Sequence, residues 1–141
     1  MANRSVYVDH LRNVALFWGL TKKELALVAS AGSEIDVAPG TALTEQGHRG
    51  SDAFVVLGGT FVVRRNGRKV AQLAVGDIVG ELALLDDEPR SASVVCLTAG
   101  SVLVISRGHF RSLIDDVPAL SHKLLAALAG RIRDLDSAVR G

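Results

Sequence analysis

Gly80, Glu81 and Arg90 frame the stretch of this sequence whose residue types best suit ligand chemistry. A glycine at position 80 lets the backbone approach a ligand closely and adopt angles that other residues avoid. The N–H groups of Leu82 and Ala83 open a short helical turn, so they lack intrahelical partners and can point at an anion. Arg90 adds a planar fork of donors that matches two phosphate oxygens. Together these groups predict a phosphate site.

An acidic side chain beside an anion site indicates that the ligand also carries a hydrogen-bond donor. The Glu81 carboxylate only accepts hydrogen bonds, and a ribose hydroxyl is a donor that it can hold. A nucleoside cyclic phosphate combines one phosphate charge with a free 2′-hydroxyl, so it satisfies both Glu81 and Arg90. The alternative is a surface ion pair between these two side chains, which contributes under about 1 kcal/mol.

The same stretch closely resembles the phosphate-binding cassette of the cyclic-nucleotide-binding domain family. The family pattern is Gly-Glu, two small or apolar residues, a variable loop, Pro-Arg, two small residues and a strand. The matching residues here are Gly80, Glu81, Leu82, Ala83, Pro89, Arg90, Ser91 and Ala92. The resemblance covers nearly the whole chain, and the combined motif is far more specific than Gly-Glu alone.

The resemblance implies a role for each of these residues. Glu81 is expected to accept a hydrogen bond from the ribose 2′-hydroxyl, and Arg90 to bind the cyclic-phosphate oxygens with help from the N–H groups of Ala83 and Ala92. Ser91 can contact the phosphate or a guanine base, so it leaves cyclic AMP and cyclic GMP both open as ligands. The resemblance implies no cofactor and a sensor that is not an enzyme.

Two departures from the family pattern keep a second hypothesis open. Val79 stands where many members have an aromatic residue before Gly-Glu, and His48-Arg49 follows Gly47 where an acidic residue is frequent. Neither departure removes a ligand-holding group. The alternative to a sensor is an interaction module of the same fold whose pocket is degenerate or filled by another ligand.

The N-terminal part, from about residue 9 to residue 31, is predicted to be helical. Leu11, Val14, Ala15 and Trp18 follow helix spacing. Thr21-Lys22-Lys23-Glu24 is a capping box that opens a second helix, which Gly32 can end.

The middle, from about residue 33 to residue 105, is predicted to be a jelly-roll β-barrel, which makes the fold class mainly β. Apolar residues alternate with polar ones there, and turn residues recur at short intervals. Asn66-Gly67 predicts a type I′ hairpin, and Gly58-Gly59 a tight reversal. Two closing strands are predicted at Ser91–Leu97 and Ser101–Ile105.

The C-terminal part, about 106–139, is predicted to be helical. Ser106 can cap a short helix, and Asp115 or Asp116, with Pro118 in the first turn, starts a longer one. An apolar stripe marks its buried side, formed by Leu120, Leu124, Leu128, Ile132 and Leu135. This helix packs on the core, or else it is a lid over the base or a dimer interface. Arg131 or Arg133 is a candidate to contact a bound base. No linker or repeat is evident, so one domain is expected over 1–141.

Composition excludes several classes of protein. Sixteen Lys and Arg against fifteen Asp and Glu give a net charge of +1, without the basic field expected of a nucleic-acid-binding protein. No apolar run approaches the roughly 20 residues of a membrane-spanning helix, and the N-terminus does not have the pattern of a secretion signal. The single Cys96 lies in an apolar strand and fits a reducing compartment. We therefore expect a cytoplasmic protein with no nucleic acid or membrane as partner.

Catalytic and metal sites are not expected. His10, His48, His109 and His122 are scattered without metal-ligand spacing, and Ser106 with His109 resembles a helix cap more than a catalytic pair. The run 86–88 of three acidic residues is expected to form a solvated loop, because a calcium site needs six to eight oxygens.

The expected mechanism is a nucleotide-dependent movement of the C-terminal helix. Within the given sequence, which ends at Gly141, no DNA-reading domain, kinase or cyclase is expected after this helix. The output is expected to pass to a separate effector protein or through self-association by the C-terminal helix, unless this chain is a fragment of a larger protein.

Overall fold

The computed structural model describes residues 4–80 and 88–126. The chain begins with helix α1 (Arg4–Leu11), a 3₁₀ turn (Ala15–Phe17) and helix α2 (Lys22–Ala31). The predicted capping box of α2 is confirmed, since the Glu24 N–H donates to Thr21 Oγ1 at 3.1 Å and the Thr21 N–H donates to Glu24 Oε1 at 2.9 Å. Gly32 ends α2, in an extended conformation.

The predicted helical spacing through Trp18 is wrong. Helix α1 ends at Leu11, and Trp18 is 60% exposed. The neighbouring Leu16 and Phe17 are both buried, and two consecutive residues cannot lie on one narrow face of an α-helix. The chain therefore follows tighter turns there, as in the bond from the Phe17 N–H to the Val14 carbonyl at 2.9 Å.

In the part of the chain that the structure describes, six strands form one antiparallel sheet. They are β1 (Ser33–Val37), β2 (Ala42–Thr44), β3 (Asp52–Arg65), β4 (Arg68–Leu73), β5 (Ile78–Val79) and β6 (Ser93–Ser106). The pairing follows β1-β6-β3-β4, with β2 also on β6 and β5 also on β3. The mainly β fold with flanking helices is confirmed, and the sheet is barrel-like. Over the described residues it is not closed.

Two predicted breaks in the sheet are wrong. Strand β3 runs through Gly58-Gly59 instead of reversing there, and the two predicted closing strands are one strand, β6. The reason is long-range pairing: Gly58 lies opposite Ser101 and Thr60 opposite Thr98, with register shifts between them. The glycines form an irregularity that both long strands share. The predicted hairpin is confirmed, because Asn66 and Gly67 both have positive φ, 54° and 79°.

The first half of β3 is buried on both faces. Ala53, Val55 and Leu57 join a core formed with the helices, whereas Phe54 and Val56 belong to a second core inside the sheet. Side chains of a strand alternate between faces, so a continuous apolar run of this length serves two cores at once. This double burial fixes the start of β3.

The C-terminal part contains helix α3 (Arg107–Asp116) and a helical segment over 119–126. Ser106 caps α3 as predicted, accepting from the His109 N–H at 3.2 Å. Asp115 and Asp116 do not start the second helix; they end α3, because the chain leaves its helix at Val117 before Pro118.

Leu120 and Leu124 are buried in the helix-side core, as the predicted stripe requires. Leu128, Ile132 and Leu135, together with Arg131 and Arg133, lie outside the described residues. Within 4–80 and 88–126, no helix is long and apolar enough to cross a membrane. The single domain over 1–141 stays a prediction.

Candidate functional site

Arg90 lies in the segment that leads into β6, and its backbone is bonded to the loop between β2 and β3. The Arg90 N–H donates to the His48 carbonyl, and the Gly47 N–H donates to the Arg90 carbonyl, both at 2.8 Å. Two consecutive loop residues, Gly47 and His48, therefore bind the main-chain carbonyl and N–H of Arg90. The side chain is partly buried, between exposed neighbours at Pro89 and Ser91.

The Arg90 guanidinium is oriented by two main-chain carbonyls. Its Nη2 donates to the Asp52 carbonyl at 2.7 Å, and its Nη1 donates to the Gly80 carbonyl at 3.4 Å. Partial burial lowers the pKa of Arg90 below its usual value, and the charge of Asp52 acts in the opposite direction. The guanidinium keeps its positive charge at neutral pH, because an unperturbed arginine titrates so far above it.

Two glycines leave room for this guanidinium. A Cβ atom at Gly50 would lie 2.7 Å from Arg90 Nη2 and 2.9 Å from Nε. A Cβ atom at Gly80 would overlap Arg90 Nη1, and the positive φ of Gly80, 73°, is also one that residues with a side chain avoid. Any side chain at position 50 or 80 would therefore displace the guanidinium.

Further hydrogen bonds fix the residues after Arg90. Thr44, a buried side chain, donates from Oγ1 to the Ala92 carbonyl at 3.0 Å. Arg65 Nε donates to the Ser91 carbonyl at 3.3 Å, and the Gln46 N–H donates to Ser93 Oγ at 2.9 Å. The segment is therefore attached to the β2–β3 loop on one side and to the end of β3 on the other.

The structure brings together five of the eight residues predicted for the site: Gly80, Pro89, Arg90, Ser91 and Ala92. Glu81, Leu82 and Ala83 lie outside the described residues, so their roles stay predictions. Val79, which departs from the family pattern, is buried in the inner core opposite Phe54. Valine is smaller than the aromatic residue of many family members, but it is packed in the core at this position.

Gly50 and Asp52 belong to the site, but the sequence analysis does not identify them as site residues. Gly50 faces the guanidinium, and Asp52 contributes a carbonyl, so the side chain of Asp52 gives no indication of this bond. The one sequence feature that pointed to Gly50 is a second glycine three residues after Gly47.

Two of the histidines have the surface and cap positions that the sequence predicts. His48 Nδ1 lies 2.9 Å from Glu45 Oε2 in an exposed pair, and His109 Nδ1 lies 2.9 Å from the cap atom Ser106 Oγ. Among the described residues, no group of three or more His, Cys, Asp or Glu side chains could hold a metal ion. The chemistry that this geometry offers is binding of an anion.

The sequence is similar to those of known proteins. Residues 34–117 match the family described as Cyclic nucleotide-binding domain. The Cyclic AMP receptor protein of Thermus thermophilus is 31% identical over 131 residues, which cover 89% of this chain and 61% of that protein. The Pycsar effector protein XpPycTIR of Xanthomonas perforans is 33% identical over 115 residues, covering 80% of this chain and 38% of that protein.

A solved structure supports the fold. The Catabolite Activator Protein of Thermus thermophilus superposes with a TM-score of 0.84 at 32% sequence identity, covering 89% of this chain and 62% of that one. The chain spans less than two thirds of the length of each of these relatives. The chain belongs to the cyclic-nucleotide-binding domain family.

Proposed function

We propose that this domain is a sensor that binds cyclic AMP, with cyclic GMP as the second candidate, and that it performs no catalysis. The observation that carries the proposal is the Arg90 guanidinium, held by the carbonyls of Asp52 and Gly80 in a gap that two glycines leave open. A guanidinium has five N–H donors, so an arrangement that uses two of them for orientation still offers donors to a phosphate.

The energetics of this position favour an anionic ligand. Partial burial disfavours the charged form of Arg90, and neutral carbonyls only partly replace the lost hydration. The charge of Asp52 offsets part of this cost. A cyclic phosphate would add a further negative charge, and each charge-assisted hydrogen bond contributes roughly 1.5–3 kcal/mol. A bound anion therefore stabilises the charge of Arg90 more than it would stabilise the charge of an exposed arginine.

The remaining contacts of the nucleotide are proposed from the family resemblance. Glu81 follows Gly80 directly and would accept from the ribose 2′-hydroxyl, while the N–H groups of Ala83 and Ala92 would join Arg90 at the phosphate. Cyclic AMP is placed first because a relative that is 31% identical is named a Cyclic AMP receptor protein. Base contacts by Arg131 or Arg133 belong to the same proposal.

Transmission through the C-terminal helix is supported by a continuous connection. Asp52, which holds the guanidinium, is the first residue of β3, and Val55 of the same strand shares a core with Leu120 and Leu124. The nucleotide can move this helix between two positions only if it binds more tightly to the protein with the helix in one of them. A complete shift from mostly off to mostly on needs a difference of about 5.5 kcal/mol.

The output of the sensor would go to a separate effector protein or through self-association by the C-terminal helix. Two of the relatives are themselves named as a receptor protein and an effector protein, which supports a role in signalling. We place the protein in the cytoplasm, because its single cysteine, Cys96, can form no disulfide within the chain, which suits a reducing compartment.

The decisive experiment is isothermal titration of the protein with cyclic AMP and cyclic GMP, comparing wild type with Arg90→Ala. We expect wild type to bind one of them and Arg90→Ala to lose at least about 100-fold in affinity, because at least two charge-assisted bonds of about 1.5 kcal/mol each disappear. Arg90→Lys should fall between the two, since it keeps the charge and loses the fork.

Arg68→Ala is the matched control, because Arg68 is an exposed arginine on β4. It should bind like wild type, and the melting temperature of each variant shows whether the fold is intact. No heat with either nucleotide, or equal affinity for wild type and a folded Arg90→Ala, would contradict the proposal. Product formation from cyclic AMP by the pure protein would contradict the sensor role.

A further inference from the structure

The loop that holds Arg90 is not anchored by burial of its own side chains. Residues 45–49 are all exposed, although Gly47 and His48 provide both backbone partners of Arg90. Such a segment opens easily unless hydrogen bonds retain it. Hydrogen bonds therefore decide how firmly this loop is attached to the rest of the domain.

Gln46 and Asn66 make a reciprocal pair of hydrogen bonds between the loop and the β3–β4 hairpin. The Asn66 backbone N–H donates to Gln46 Oε1, and Gln46 Nε2 donates to Asn66 Oδ1, each at 2.8 Å. The Asn66 N–H is only a donor, so it determines which end of the Gln46 amide is the oxygen. Asn66 itself is fixed by its positive φ of 54° in the hairpin turn.

The same glutamine is bonded to the strand that follows Arg90. Its backbone N–H donates to Ser93 Oγ at 2.9 Å, and the next residue, Gly47, donates to the Arg90 carbonyl at 2.8 Å. Hydrogen bonds therefore connect the hairpin turn to Gln46, and the next residue, Gly47, to the backbone of Arg90.

We propose that Gln46 and Asn66 are positioning residues for Arg90: their amide pair holds the β2–β3 loop against the hairpin and so presets the guanidinium for an anionic ligand. Neither side chain needs to touch the nucleotide. The proposal rests on the function proposed above for Arg90, and it adds a specific prediction for two exposed residues outside the predicted phosphate-binding cassette. Preorganisation of this kind raises affinity by lowering the ordering cost of binding.

The test compares Gln46→Ala, Asn66→Gly and the double variant with wild type. Asn66→Gly removes the side-chain acceptor and keeps a residue that tolerates positive φ. Each single variant should bind cyclic AMP about 3- to 10-fold more weakly, and the double variant should lose no more than the larger single loss, because Gln46→Ala already removes both bonds of the pair. Asn66→Asp keeps the acceptor and should bind within twofold of wild type.

Gln72→Ala is the matched control. Gln72 is an exposed glutamine on the same hairpin, and its Oε1 accepts from Lys69 Nζ at 3.0 Å. Its loss removes a comparable exposed bond that has no connection to Arg90, so affinity for cyclic AMP should be unchanged.

A second measurement separates this proposal from the function on which it rests. Hydrogen exchange of the ligand-free protein should be faster at the amides of Gly47 and Arg90 in Gln46→Ala and Asn66→Gly. It should be unchanged at Val56, whose N–H donates to the Asp77 carbonyl at 2.9 Å. If wild type bound no nucleotide, this exchange pattern would still support the positioning role. Unchanged exchange at both amides, or additive losses in the double variant, would overturn it.

Discussion

Gly50 and Gly100 are both glycines without a positive φ, yet an added methyl group would meet very different atoms at the two positions. At Gly50, it would meet the Arg90 guanidinium, the movable end of a long side chain. At Gly100, it would overlap the Gly58 carbonyl oxygen and lie 3.1 Å from Gly59 Cα, so it would meet main chain of a paired strand. One glycine makes room for chemistry, and the other lets two strands approach closely.

The surroundings of the two glycines differ in the same way. Gly100 lines an open depression of about 610 Å³ together with Gly58 and Gly59, and Asp36 is the one ionisable side chain in its lining. The lining of this depression has no cationic side chain for a phosphate, and the Asp36 carboxylate would repel one. Gly50 lies beside a partly buried cation held by main-chain carbonyls. Close approach of backbone alone therefore does not identify a binding site, whereas close approach to an oriented charge does.

Gly100→Ala should have the largest effect on stability. The Cβ atom has to displace the β3 main chain where β3 and β6 shift register, and overpacking of this kind lowers the free energy of unfolding by about 1–3 kcal/mol or more. Urea unfolding at equilibrium measures this. An unchanged transition midpoint would show that the strands can separate at Gly100 without cost and would remove one side of the comparison.

Gly50→Ala should weaken nucleotide binding and leave stability almost unchanged. The guanidinium can move away from the new methyl group, and in doing so it leaves the Asp52 carbonyl. Loss of one preset orientation should lower the affinity for cyclic AMP about 10-fold, equivalent to about 1.4 kcal/mol. Calorimetric titration and urea unfolding together decide the outcome. A stability loss as large as that of Gly100→Ala would mean that Gly50 serves the fold after all.

Features determined by neighbouring residues were predictable from the sequence. The Thr21–Glu24 capping box, the Ser106 cap and the Asn66-Gly67 turn each involve residues at most three apart, and the structure confirms all three. Their energies are decided locally, so a sequence motif is sufficient to identify them.

Features determined by distant residues were not predictable in this way. Gly58-Gly59 has the composition of a reversal, but pairing of β3 with β6 carries the strand straight through it. At the site, the motif from Gly80 to Ala92 indicated the arginine but not its supports. Apart from Gly80, those supports are the Asp52 carbonyl and the space at Gly50, which lie outside the motif, and such contacts leave no pattern in the side-chain sequence.

Gly108→Ala should have the smallest effect and the opposite sign. Gly108 lies in the first turn of α3, and a Cβ atom there would meet no atom within 4 Å apart from its chain neighbours and the backbone of its own helix. Alanine is the better helix former by up to about 1 kcal/mol, so the free energy of unfolding should rise slightly and the affinity for cyclic AMP should stay the same. All three substitutions add one methyl group to a glycine, and only its surroundings differ: main chain, a guanidinium, or open space. If Gly108→Ala lost stability or affinity to the same extent as the others, then glycine itself, rather than what the new atom meets, would be the cause.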